Sequence, residues 1–380
     1  MQKTERNYGI DLLRLCSMLM VVALHVTGWG GMREVFSPLV LKTELVWLID
    51  AACWCAVNCF AITSGYVGIN SKYKYSNIIH LWIQVLFYSV LAGGLYVGIT
   101  LAQGGSISVR TLLTAVFPFL LEEYWYFTAY VLLFFFMPLL NYIIHNAPRK
   151  LLRNTAIAAG ILLCCVSLVR GTYTSVNRGY SVLWLAMMYL CGGYMAKYNS
   201  FSKLTAGKSF LCYMGCVVLA FGSRICLALV SSLVLGRYYS INFFIEYQSP
   251  FIVGAAVFLF HAFKQMTVPN GAKAWIRVLA PAAFGVYLIH ENPIVRSWLI
   301  TDRFVEYMYQ PAYLMLALFV ATVVVIFVGC LAIDLVRIQL FRVLRVKQLS
   351  EKMERGFSAC FVGLKKVVRW DSDDEESSKS

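Results

Sequence analysis

Long apolar stretches separated by short polar ones run the length of the chain. Ala312 to Ile333, for example, is 22 residues without a formal charge, more than the roughly 20 that a helix needs to cross a bilayer. This pattern predicts ten spans, at roughly 8–29, 45–68, 76–101, 124–145, 154–169, 180–196, 209–235, 244–263, 278–300 and 312–334. The fifth and sixth are short enough to be tilted or partly re-entrant. The expected fold class is all-α: a polytopic membrane protein of about ten transmembrane helices with both termini on one side. The loop 102–123 is too long for a tight turn. Its apolar part, Thr111 to Leu121 with Pro118, ends in Glu122-Glu123 and is expected along the outer interface. Residues 336–370 are basic and amphipathic, as befits a helix on an anionic inner leaflet, and 371–380 read as an acidic disordered tail. The expected organisation is a membrane domain over 1–335 followed by these two segments. No repeat of the transporter kind is visible, nor a pair of Gly/Pro-broken spans.

Composition sharpens this picture. Of 380 residues, 60% are hydrophobic and 14% charged, far more apolar than a soluble domain. The net charge of +14 needs no nucleic acid to explain it. With the N-terminus inside, 13 Lys and Arg fall in inner segments before residue 335 and ten after it, against eight outside. That is the bias of the positive-inside rule, and it puts both termini in the cytoplasm. Asp11 and Arg14 interrupt the first apolar run, so a cleaved signal peptide is not expected. Eleven of the 12 cysteines lie in apolar segments, where thiols serve as small packing residues, and no Cys/His spacing indicates a metal site. Cys360, beside the basic segment, is a candidate for acylation.

Polar residues inside spans carry the chemistry. Asp11, Arg14 and His25 lie in the first span, where each charge costs about 2.5–3.5 kcal/mol unless it faces protein or a wet cavity. Eleven residues separate Arg14 from His25, which at about 100° per residue puts both on one stripe, roughly 16 Å apart along the axis. Asp11 precedes Arg14 by three residues, so the two can pair. The plainer reading makes these residues markers of the helix ends. His290-Glu291 sits deep in the ninth span before Pro293, facing either a cavity or outer water. Arg224 needs a partner within the bundle, and Asp50 and Glu246 are the candidates. His80, His145 and His261 fall near inner span ends and fit boundary packing.

Several motifs agree with a known family. Arg6-x-x-Gly9-Ile10-Asp11-x-x-Arg14 leading to His25 resembles the opening of the acyltransferase family 3 membrane enzymes. Asn58-Cys-Phe-Ala-Ile-Thr-Ser-Gly65-Tyr66 is similar to the end of that family's second span. Tyr124-Trp125-Tyr-Phe127 with Pro138-Leu-Leu-Asn141, and Gly285-Val-Tyr287-Leu-Ile-His290, resemble two later stretches, in order, over about residues 6 to 335. The resemblance implies transfer of an acyl group, usually acetyl, from cytoplasmic acetyl-CoA to a hydroxyl of a cell-envelope glycan or lipid-linked glycan, in a bacterial plasma membrane. It also implies His25 as the residue acting in transfer, with no permanently bound cofactor. Many members carry Arg-x-x-Arg in the first inner loop, where this chain reads Ser71-Lys72-Tyr73-Lys74.

Such a reaction needs a base for the acceptor hydroxyl, a task suited to imidazole. His25 either takes that proton or is itself acylated. Arg14, held by Asp11, is better placed for the donor's phosphates. Lys72 and Lys74 are candidates for the same role, against a plain positive-inside reading, and so are Arg149, Lys150 and Arg153. Trp125 is a candidate lining of the acyl passage, against a belt aromatic. His290 and Glu291 form a possible second polar site. The alternatives are a proton-coupled transporter or flippase using the same polar trio, and a membrane scaffold, which leaves the trio unexplained.

Overall fold

The computed structural model describes residues 6–33, 35–119, 121, 123–170 and 177–367, with side chains undescribed at 163, 165–170 and 358–367. Glu122, Arg369 and the acidic tail lie outside the described residues, as do the side chains of Cys360, Lys365 and Lys366. Among the described residues the chain is all-helical. The first six helices are α1 (Tyr8–Thr27), α2 (Leu41–Cys53), α3 (Ala56–Gly68), α4 (Tyr75–Ala102), α5 (Val109–Val116) and α6 (Trp125–Asn146). Then come α7 (Arg149–Arg170), α8 (Val182–Tyr198), α9 (Ala206–Leu235), α10 (Pro250–Gln265) and α11 (Asn270–Leu279). The chain closes with α12 (Ala283–His290), α13 (Pro293–Leu299), α14 (Ala312–Val343) and α15 (Val346–Val367).

Among the described residues, seven segments are long and apolar enough to cross a membrane: α1, α2 with α3, α4, α6, α9, α11 with α12, and α14. The other three expected spans correspond to α7, α8 and α10; α10 is apolar but only 16 residues long. Two spans are interrupted, although no pair of broken spans is visible in the sequence. The second bends at Trp54–Cys55, between α2 and α3. The ninth breaks twice. Pro281 sits in a 3₁₀ turn, Ala280–Ala282, and Pro293 starts α13 with Asn292 at φ −53°, ψ 127° before it. A proline lacks the N–H that a helix interior needs, and before Pro293 it drives Asn292 out of the helical region, whereas Ala280 before Pro281 stays helical at φ −58°, ψ −36°. The Asn292 side chain then accepts from the N–H groups of Ile294 and Val295, capping α13.

α1 lies at the centre, packed against α2, α3, α10, α12 and α14. Of its most apolar window 67% is buried, against 22% for α4 and α14. The ionisable residues of α1 therefore meet protein, while α4 and α14 present their apolar sides outward. α3 and α8 touch backbone to backbone. A Cβ on Gly65 would come 1.9 Å from the Tyr189 carbonyl oxygen, and one on Gly192 would come 2.0 Å from that of Ile62. Small residues at such a crossing let two helices pack closely where lipid supplies no hydrophobic drive. α14 runs through residue 335 to Val343 and carries a buried pair, Asp334 with Arg337 at 2.7 Å. Tyr88 of α4 donates to Asp334 at 2.7 Å, tying α4 to α14. α15 packs along α4, and Glu354 accepts from the Tyr75 N–H at 2.8 Å.

Candidate active site

Asn7 caps α1, its side chain accepting from the Ile10 N–H. The helix then carries Asp11, Arg14 and His25 along one side. Asp11 is buried and held from two directions, by Arg14 at 2.9 Å and Arg6 at 2.5 Å. Arg14 opens onto two cavities at the face where α1 begins. One, of about 300 Å³, is lined by Arg14 together with Lys72, Lys74, Tyr130 and Asn141. The other, of about 540 Å³, holds Arg6, Asp11 and Arg14. The bundle thus brings Arg14 to both lysines of the loop after α3. Arg149, Lys150 and Arg153 line neither cavity.

At the other end of α1, His25 meets the break in the ninth span. Its Nδ1 is 2.9 Å from His290 Nε2 and 3.1 Å from Glu291 Oε2. Of the two alternatives for His290 and Glu291, the structure favours the cavity: both are buried, and Glu291 lines one. The helix does end at His290, but Arg296 of α13 reaches back to Glu291. The tautomers follow from the partners. His290 Nδ1 lies 2.5 Å from the Val286 carbonyl, which can only accept, so that nitrogen carries the proton. With both rings neutral, His290 Nε2 accepts and His25 Nδ1 donates. This leaves His25 Nε2 with its lone pair free, on a side chain that lines a cavity. Glu291 Oε2 sits beside Nδ1 without hydrogen-bond geometry. Its other oxygen is held by Arg296 at 2.5 Å, and Arg296 lies over the Trp29 ring at 4.3 Å.

That cavity, of about 460 Å³, is walled by aromatic rings, chiefly Trp29, Trp54, Trp125, Tyr180 and Tyr247. Arg33 closes one side. It donates to Asp50 at 2.5 Å and to the Leu24 carbonyl at 3.0 Å, which caps α1, and it stacks over Trp54 at 4.9 Å. A smaller cavity of about 40 Å³ continues from His25 toward the membrane interior, between Met18, Tyr126 and Tyr287. The Tyr287 hydroxyl there is buried without a hydrogen-bond partner. Tyr126 and Tyr130 stack at 6.2 Å between this small cavity and the one that holds Lys72 and Lys74. Trp125 lines both cavities at His25, rather than joining the two lysines.

Arg224 pairs with neither expected residue. Glu44 of α2 receives it at 3.1 Å, while Asp50 takes Arg33 and Glu246 takes Arg178 at 3.5 Å. Glu44 reaches Arg224 because α2 packs against α9, a contact that no spacing along the chain reveals. His145 and His261 pack locally, against the Ile69 carbonyl at 3.0 Å and Ser209 at 2.8 Å. His80 packs edge-on to Phe341. Sequence reasoning missed Arg33, Arg296, Tyr180 and Tyr247 as neighbours of His25. Arg33, Tyr180 and Tyr247 lie in loops and Arg296 in the short α13, and only the positions of Arg33 and Arg296 close to two histidines could have pointed to them. Among the described residues no cluster could hold a metal ion.

An imidazole pair, His290 buried and His25 opening onto a cavity, with an attendant carboxylate, defines a site for acid–base chemistry within a helical membrane bundle. The family profile described as an acyltransferase domain, acyltransferase 3, matches residues 7–335, and the chain belongs to that family. It is therefore a multi-pass membrane acyltransferase. No curated protein and no solved structure matches it.

Proposed function

We propose that this acyltransferase moves an acetyl group from cytoplasmic acetyl-CoA to a hydroxyl of a cell-envelope glycan, with the face where α1 begins cytoplasmic, ten crossings and the bacterial plasma membrane as its site. The excess of Lys and Arg in segments on that side supports the orientation. The single observation that carries the catalytic reading is the His25–His290 contact of 2.9 Å, with His290 itself locked to a carbonyl. It makes His25 Nε2 the free base of the site.

On this reading the donor's phosphates meet Arg14, Lys72 and Lys74, while its long flexible arm brings the thioester past Tyr126 and Tyr130 to His25. His25 Nε2 takes the acceptor's hydroxyl proton as the oxygen attacks the thioester carbonyl. The C–S bond breaks, and the coenzyme's thiolate leaves and takes up the proton. His290, accepting from His25 Nδ1, orients the imidazole, and Glu291, held in place by Arg296, offsets the charge that forms on it. The unpartnered Tyr287 hydroxyl suits the developing oxyanion. Attack by His25 Nε2 itself, giving an acyl-imidazole that then meets the alcohol, uses the same geometry. The aromatic walls around His25 suit the apolar faces of a sugar, and the Trp54 indole N–H, buried without a partner, suits its hydroxyls.

Purified protein given labelled acetyl-CoA and the host's envelope glycan should form acetyl ester. Arg14→Ala should raise the KM for acetyl-CoA about tenfold with a smaller change in kcat, as expected for one lost charge-assisted contact to the donor. An unchanged donor KM would refute the donor site. The two interrupted spans favour a second reading, a proton-coupled transporter or flippase of an envelope precursor. Under that reading, vesicles holding the protein but no acyl donor accumulate the precursor; under the first they do not.

A further inference from the structure

A third cavity, of about 280 Å³, lies beside the aromatic one and takes no part in the chemistry above. Two short loops form the wall between them by alternation. Arg178 lines the third cavity while Tyr180 lines the aromatic one. Glu246 and Gln248 line the third while Tyr247, between them, lines the aromatic one. The two loops touch through the Tyr180 and Tyr247 rings, 4.9 Å apart. Gly179 permits this. It sits at φ 92°, a left-handed conformation suited to glycine, and a Cβ there would come 2.4 Å from that of Tyr247. Tyr247 is fixed from behind by Asn58, whose amide donates to its carbonyl at 2.8 Å, and Trp184 in turn holds Asn58. The partition is thus two rings thick and rigidly placed.

The third cavity contains polar atoms that the protein leaves unanswered. Gln248 Oε1 and Ser249 Oγ are both buried, in residues only 6% and 3% exposed, and neither has a hydrogen-bond partner. Ser249 occupies the N-cap position of α10 yet makes no capping bond. Buried polar atoms are nearly always paired, and leaving one unpaired is costly. Both residues line this one cavity, so a rotation of either side chain can turn an unpaired oxygen to a ligand that supplies hydroxyls. The rest of the lining agrees. Arg178 and Glu246 answer each other at 3.5 Å, so the cavity offers no net charge for an anion. Phe243 and Phe244 add apolar surface. Hydroxyls with apolar faces and no charge are the chemistry of a neutral sugar ring.

We infer that this cavity is a second carbohydrate subsite, in which Gln248 and Ser249 hold the sugar next to the one acylated at His25, so that the acceptor is an oligosaccharide or polymer rather than a single sugar. The inference rests on the glycan-acceptor reading. Gln248 and Ser249 act in binding and lie outside the acid–base machinery.

Three strains, carrying the parent protein, Gln248→Leu or Ser249→Ala at matched membrane levels, test it through the O-acetyl content of the host's envelope glycan. Hydrolysis of labelled acetyl-CoA by each purified protein, without any glycan, provides the second measurement. Both variants should lower glycan O-acetylation by about tenfold or less, the effect of one lost hydrogen-bond partner, and leave acetyl-CoA hydrolysis unchanged. Parental glycan O-acetylation in both variants overturns the subsite and leaves the acetyltransferase reading intact. An equal loss of hydrolysis also overturns it, since the substitutions then act on the fold or the chemistry. A parent protein that adds no acetyl to the glycan overturns the acceptor reading and the subsite together.

Discussion

Replacing His25 by asparagine is expected to lower acyl transfer by at least about 10²–10⁴-fold, the range attributed to a positioned general base. Asparagine can still donate an N–H toward His290, so the contact that orders the ninth span is kept while the acid–base group is removed. Membrane level and thermal midpoint should stay near those of the parent, because His25 lines a cavity and fills no close-packed position. The measurement is the single-turnover rate of acetyl transfer from labelled acetyl-CoA. A rate within a few-fold of the parent's removes His25 from the chemistry. If His25 is itself acylated, the same variant also loses labelled acetyl-protein after mixing with donor alone. A general-base role predicts no such label in the parent either.

The second large effect is on stability and involves no part of the site. Arg224→Ala should destabilise the bundle by about 3–5 kcal/mol, the cost of leaving a buried charge without its partner. Arg224 is 1% exposed. It donates twice to Glu44 and once each to Ser240 and Asn242, and it stacks over Trp47 at 4.6 Å. Removing it strands the Glu44 carboxylate between α2 and α9. The double change Arg224→Met with Glu44→Gln removes both charges while keeping much of the volume, and it should recover most of the loss. Thermal unfolding in detergent checks both. An Arg224→Ala midpoint equal to the parent's would show that the pair contributes nothing, as happens with exposed pairs.

Much of the frame was legible along the chain. Every expected span corresponds to one or more helices, and seven segments among the described residues are long and apolar enough to cross a bilayer, where the backbone must satisfy its own hydrogen bonds. The breaks were harder to see. Pro281 and Pro293 are present in the sequence, yet their consequence depends on where each falls relative to α1. The first span was the most informative. Its three polar residues do share one side of a central helix, with Asp11 joined to Arg14 and with Lys72 and Lys74 brought to the same cavity. Helical spacing is local, and such spacing survives folding.

What no local pattern could settle is which distant groups meet. His25 and His290 are 265 positions apart, and Glu44 and Arg224 are 180 apart. His290 ends one short helix, α12, and Glu44 sits in the first turn of another, α2. Taken by itself, the sequence determined that this is a helical membrane protein with an acidic, a guanidinium and an imidazole group aligned on its first helix, since hydrophobic periodicity and rise per residue act within a few turns. The tertiary structure alone decided that the imidazole has a second imidazole and a carboxylate behind it and aromatic walls before it. Those contacts come from packing between helices far apart in the chain, and in a bilayer that packing is selected by close fit and paired polar groups rather than by any repeating pattern of apolar residues.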